Sequence, residues 1–201
     1  MREYKLIKLN DLLKNIGENE TNSILSTFRN PLNSDIEHFL LHNAITFEKQ
    51  HISSTYLVFT NHQSQQILCG YFTLANKILS IYGKSLASTN IKKRISKFST
   101  YDPFSDKFSL STPLIAQLGK NYYQDHNLVI NGCDLLELAI QKLRSALEII
   151  GGNIVYLECK DIPNLVAFYT QNNFISVGKR YTTFPSNTRP NYLLQMIRFV
   201  K

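Results

Sequence analysis

From Pro113 to the carboxyl end the hydrophobic period switches in a set order, and that order limits the possible folds more than any single residue does. Leu114-Ile115-Ala116-Gln117-Leu118-Gly119 reads as a buried strand, followed by a polar loop rich in Asn, Tyr and His that reaches Asn131. A helix is expected over 132–150, with Leu135, Ala139, Leu143, Leu147 and Ile150 on one face and Gly151-Gly152 ending it. Residues 153–158 make a strand, and Pro163 opens a helix that reaches Gln171. Segments 174–177 and 192–197 close the chain as two further strands.

The amino-terminal half is less regular. Residues 4–9 look like an opening strand, and 11–28 like short helical pieces interrupted by Gly17. Ser34 is placed to cap a helix, with Asp35 and Glu37 in its first turn. Ile36, Phe39, Leu40, Ala44 and Phe47 then form one apolar face running to about Gln50. β-Branched and aromatic runs at 55–60 and 67–74, joined by the polar connector 61–66, read as an antiparallel hairpin, with 78–82 as a further short strand. Residues 83–111 carry Lys92-Lys93-Arg94, Lys97 and a turn at Tyr101-Asp102-Pro103-Phe104. They are expected as a surface helix plus loop inserted in a single domain spanning 1–201.

At 201 residues and 43% hydrophobic, the chain can bury a substantial core. No run approaches the roughly 18–20 apolar residues of a membrane span, so no membrane partner is expected. The amino terminus leads into a strand-like run instead of a signal peptide's apolar stretch. Cys69, Cys133 and Cys159 are scattered, which suits reduced thiols and a cytoplasmic protein. His38 and His42 lie four apart without a third ligand, so no metal is expected. A net charge of +7 favours polyanionic partners, whether nucleic acid or the phosphates of a nucleotide-type cofactor.

The whole order resembles the Gcn5-related N-acetyltransferase (GNAT) superfamily, over about residues 3–200 apart from 83–111. The most specific part is Ile154-Val155-Tyr156-Leu157-Glu158-Cys159 followed by Leu165-Val166-Ala167-Phe168-Tyr169-Thr170-Gln171-Asn172-Asn173-Phe174. This is similar to the family's strand and "FYxxxGF" signature, with Asn173 where Gly is usual; Asn tolerates a left-handed backbone. Gly70-Tyr71-Phe72-Thr73-Leu74 is similar to the "GYxTL" strand of the branch containing the tRNA-acetylating toxins.

The resemblance implies an α/β (α+β) fold, with a mixed, mostly antiparallel central sheet flanked by helices. It also implies acetyl-coenzyme A as co-substrate. The backbone of Gln117-Leu118-Gly119-Lys120 would pair with the pantetheine arm, and Lys120 would neutralise a phosphate or be solvated. The family binds pyrophosphate with an R/Q-x-x-G-x-G/A turn at a helix start, where free amides and the dipole face the anion. Here Asn127 replaces the Arg or Gln and Ile130 the first Gly, leaving Asn131, Gly132 and Cys133 as the corresponding segment. Gly132 is equally readable as a loop-to-helix turn, and Asp134 would oppose phosphates unless it points away.

Tyr169 occupies the position of the family's general acid, which protonates the departing thiolate. A phenol of pKa about 10 matches a thiol of about 8.5 well enough for that step. The other reading is a core aromatic. Phe168 is expected in the core, and adjacent helical positions differ by about 100°. Glu158 is a weak candidate base. The acceptor implied is a primary amine on aminoacyl-tRNA, a protein or a small molecule, with the enzyme a monomer or homodimer. The alternative is a catalytically idle module of the same fold that binds coenzyme A, protein or nucleic acid.

Overall fold

The structure, a computed structural model, describes residues 3–86, 88–182 and 191–200. The strands are β1 (Lys5–Lys8), β2 (Ser54–His62), β3 (Gln65–Tyr82), β4 (Thr100–Asp102), β5 (Lys107–Lys120), β6 (Ile154–Cys159), β7 (Ile175–Thr182) and β8 (Asn191–Phe199). The helices are α1 (Leu9–Leu25), α2 (Ser34–His38), α3 (Ala44–Lys49), α4 (Thr89–Ser96), α5 (Gly132–Ile150) and α6 (Pro163–Gln171). Sheet order is β1-β2-β3-β5-β6-β8-β7, with β4 paired to β5. The pairs β1–β2, β2–β3, β4–β5, β6–β8 and β7–β8 are antiparallel. The chain forms two compact units, residues 1–75 with 115–142 and residues 76–114 with 143–201, so β3, β5 and α5 each contribute to both.

In the first unit, Leu9, Leu25, Phe28, Leu40, Leu57 and Tyr71 form the buried core. Gly17 interrupts α1 with φ 83°, a backbone state that glycine alone adopts freely. The cap of α2 is Asn33, not Ser34: its side chain accepts the Asp35 amide at 3.2 Å. Between α2 and α3 the residues Phe39–Asn43 form a π-helical turn, which keeps Phe39, Leu40 and Ala44 all buried. The connector between β2 and β3 is shorter than expected. His62 pairs with Gln65, so only Gln63 and Ser64 turn the chain, both with φ positive (48° and 64°) as a type I′ turn demands.

In the second unit the core is Leu79, Ile81, Ile95, Phe108, Leu110, Ile154, Tyr156, Val177 and Ile197. Residues 83–111 are therefore not the surface insertion expected from sequence. Helix α4 buries Ile95, and the Arg94 guanidinium lies 3.5 Å from the Phe199 ring centroid. Strand β4 pairs with the start of β5, which begins six positions before Pro113. The stretch 78–82 is likewise not a separate strand: β3 runs unbroken from 65 to 82.

Candidate functional site

The cofactor candidates all lie in the first unit. Gly119 is buried, and a Cβ there would stand 2.5 Å from Ile36 Cγ2 and 3.3 Å from Asn30 Nδ2, so no larger residue fits without moving α2. Ile36 is held in place by its carbonyl, which accepts from the Tyr71 hydroxyl at 2.6 Å. On the neighbouring strand, a Cβ at Gly70 would meet the Gly119 carbonyl at 3.0 Å. Two glycines thus bring these backbones unusually close. Gln117 and Leu118 are half-buried beside them.

Lys120 is half-buried at the end of β5. Its ammonium donates to the Asn127 carbonyl at 3.1 Å and lies 5.9 Å from the Tyr122 ring centroid, pinning the loop after β5 to the strand. Ile130, where the family has Gly, is 2% exposed and plugs the loop into the core with Val129. Asn131 caps α5: its Oδ1 accepts the Asp134 amide at 2.7 Å, and its Nδ2 donates to Asp134 Oδ2 at 2.8 Å. The Tyr4 hydroxyl reaches the same carboxylate oxygen at 3.4 Å. Asp134 is thereby tied to Asn131 and Tyr4, with its carboxylate held at the start of α5. Gly132 begins the helix, and Cys133 beside it is exposed.

The catalytic candidates lie in the second unit. Tyr169, on α6, is buried; its ring packs edge-on against Phe168 at 5.1 Å and Phe174 at 5.7 Å. Phe168, expected in the core, is the less buried of the two. Burial lifts the Tyr169 pKa well above the ordinary phenol range, reinforced by Cys159, whose own thiol is pushed up to about 11 by burial. The phenol therefore stays protonated and can act as a donor, not a base. Asn173, in place of the family's Gly, has φ 64°, so the turn after α6 keeps its left-handed residue, and Phe174 N–H closes it onto the Tyr169 carbonyl at 3.0 Å.

Glu158 is held by an arginine. Arg180 Nε donates to both carboxylate oxygens at 2.7 and 2.8 Å, and its second guanidinium nitrogen stands 2.6 Å from Oε2. Both carboxylate oxygens are thereby engaged by the guanidinium. His38 and His42 lie with ring centroids 4.6 Å apart and their planes tilted by 43°, and among the described residues no group of three metal-ligating side chains converges. Among the same residues no helix is long and apolar enough to cross a membrane. Sequence reasoning missed a cavity of about 630 Å³ in the first unit, lined by the β2–β3 turn, the end of α1 and residues 123–126. Its walls come from three distant segments, and no local motif announces it.

This element order and sheet define the fold of the Gcn5-related N-acetyltransferases. Among solved structures the chain is similar to AtaT complexed with acetyl-methionyl-tRNAfMet, at 15% identity and a TM-score of 0.62, covering 96% of this chain and 94% of that one. A tyrosine-to-phenylalanine mutant of KacT matches at 14% identity and TM-score 0.61, again over 96% and 94% of the two chains. AtaTR bound with acetyl-CoA matches at 14% identity and TM-score 0.56, over 96% and 92%. No family model and no curated protein sequence matches the chain.

Proposed function

We propose that the chain is an acetyl-CoA-dependent N-acetyltransferase, acting as a single domain in the cytoplasm, with Tyr169 as its general acid. One observation carries this reading: the chain has the acetyltransferase fold over 96% of its length in the likeness to AtaT, and it sets Tyr169 on the helix after β6 where the signature expects it. The acceptor amine attacks the thioester carbonyl carbon, a tetrahedral intermediate forms, and its collapse breaks the carbon–sulfur bond. Tyr169 gives its proton to the departing sulfur, and the amine's proton passes to solvent. Desolvation raises the proton affinity of a thiolate as well as a phenolate, so the two stay matched in one low-dielectric setting.

The backbone of Gln117, Leu118 and Gly119 is suited to pair with the pantetheine arm. Amides at the start of α5, from Gly132 and Cys133, are suited to meet the pyrophosphate, because Asn131 and Tyr4 restrain Asp134. In this arrangement Lys120, Asn127 and Asn131 hold the loop in shape. Glu158, bound by Arg180, serves structure, and no dedicated base is needed if the acceptor arrives with a low pKa. An aminoacyl-tRNA α-amine, near 7.7–8, is such an acceptor. The net charge of +7 and the likeness to AtaT bound to an acetylated methionyl-tRNA favour it over protein or small amines.

The idle-module reading has its own support in Ile130, which fills the place of the family's first phosphate-loop glycine. Calorimetry with acetyl-CoA, followed by thiol release with charged tRNA, separates the two. Binding and release are expected. Absence of heat at near-millimolar acetyl-CoA would leave the idle module standing.

A further inference from the structure

The cavity of about 630 Å³ in the first unit takes no part in the chemistry above, and its lining specifies a ligand class. Phe59 and Leu68 give it an apolar floor. Tyr123 and His126 stand over it as an edge-to-face aromatic pair, centroids 5.8 Å apart at 80°. Around the rim, Gln63, Gln65, Gln66 and Gln124 supply four carboxamides, each both donor and acceptor. His126 Nδ1 lies 3.2 Å from the Leu68 carbonyl, so in the neutral ring Nδ1–H is committed there and Nε2 remains an acceptor. No Lys or Arg is among the lining residues, and Asp125 is the one carboxylate. Such a wall offers no cation of its own to an anionic group. It suits a flat, uncharged, heteroaromatic group that stacks on aromatic faces and reads carboxamides along its edge.

Two further features fit this ligand. Gln63, Ser64, Gln124 and Asp125 all adopt left-handed backbone conformations without being glycine, on two separate walls of the cavity or at its turn. Asn-Gly would relieve the hairpin turn, yet Gln-Ser occupies it, keeping a long carboxamide at the rim. Two residues beyond lining Thr27, the backbone of Arg29 is fixed to the segment leading into Tyr123. Its amide donates to Asn121 Oδ1 at 2.9 Å and its carbonyl accepts from the Tyr122 amide at 2.8 Å. The Arg29 guanidinium is turned back on its own segment, donating to the Ser26 and Phe28 carbonyls at 3.0 and 2.7 Å, so the site is defined by its base-sized lining alone.

The geometry points to a nucleobase-binding site, taking the base of a nucleoside monophosphate or of an unpaired nucleotide in a single strand. It does not rest on the acetyl-transfer reading, and its test measures binding alone.

The full chain is titrated calorimetrically with AMP, GMP, CMP and UMP, with ribose 5-phosphate as the base-free control. At least one nucleotide binds with Kd below about 1 mM and at least about tenfold tighter than ribose 5-phosphate. The Tyr123→Ala/Gln66→Ala double variant, altered only at exposed positions, keeps its circular dichroism spectrum and its affinity for acetyl-CoA but loses about tenfold in nucleotide affinity. A single-stranded oligoribonucleotide that binds tenfold tighter than the monophosphate, with strong salt dependence, identifies a polynucleotide as the source of the base; equal affinity identifies the free nucleotide. Four nucleotides no better than ribose 5-phosphate would overturn the site. So would nucleotide binding indifferent to the double variant, since the ligand would then sit elsewhere, as adenine of a coenzyme A-type ligand would.

Discussion

Tyr169 and Tyr156 illustrate how burial sets the behaviour of a phenol. Desolvation and nearby Cys159 keep Tyr169 protonated well past the ordinary phenol range, so the loss of its proton does not limit turnover below about pH 10. The expected pH profile rises as the acceptor amine deprotonates near 7.7–8 and stays flat above it. Tyr169→Phe keeps the ring contacts with Phe168 and Phe174, so acetyl-CoA affinity and the unfolding midpoint should hold while single-turnover rates fall about ten- to a thousandfold. An unchanged rate with chemistry limiting removes the hydroxyl from the mechanism. Tyr156, 2% exposed in the second core, is pushed up to about 12 by burial and then by Glu158. Its folded pKa is raised, so its stabilising contribution is complete below pH 10 and fades between about 10 and 12. Tyr156→Phe should therefore shift the alkaline unfolding midpoint to higher pH. An unmoved midpoint means another group, such as fully buried Tyr71, dominates alkaline unfolding.

Between elements, the contact of α2 with β5 at Gly119 is the tightest near the candidate thioester strand. Gly119→Ala places a methyl 2.5 Å from Ile36 Cγ2, and overpacking of this kind costs about 1–3 kcal/mol. Ile36→Ala in the same chain should restore part of that loss, because it removes the clashing methyl; thermal melts of the two single variants and the double show the coupling directly. Elements with strong punctuation were legible in advance. Helix α5 begins at Gly132 and ends at Ile150 before Gly151-Gly152, and α6 starts at Pro163, as the sequence pattern predicts. The left-handed turn at Asn173 follows from the same local chemistry. Other features depend on long-range contacts. Lys107 to Ser111 alternates as a strand does, but Pro113 looks like a strand's first residue, and the pairing partner that extends β5 lies in β4. The π-helical turn at 39–43 has no sequence signature apart from the core it serves, and Lys120 bonds a backbone carbonyl that any residue would present. The bidentate Arg180 partner of Glu158 lies 22 positions away on another strand, so a paired carboxylate and an available base read alike in sequence.

Taken whole, the molecule carries a charge of +7, and what that charge does depends on which cations are free. The three basic residues of α4 and Lys97, its C-cap, divide by contact. Arg94 covers the Phe199 ring at 3.5 Å, and Lys92 lies 5.5 Å from the Phe108 centroid, so both serve the second core as well as the surface. Lys93 and Lys97 are exposed. Changing all four at once would confuse lost folding with lost binding, whereas Lys93→Gln/Lys97→Gln removes charge alone. If α4 contacts a tRNA backbone, log affinity falls linearly with log salt, and the double variant reduces that slope by about 1.4–1.8, the share of two phosphate contacts. Its melting temperature should equal that of the unaltered protein, while Arg94→Gln should melt earlier through loss of the Phe199 contact. A slope that stays the same when both lysines are gone would move the polyanion contact off α4 to other parts of the basic surface.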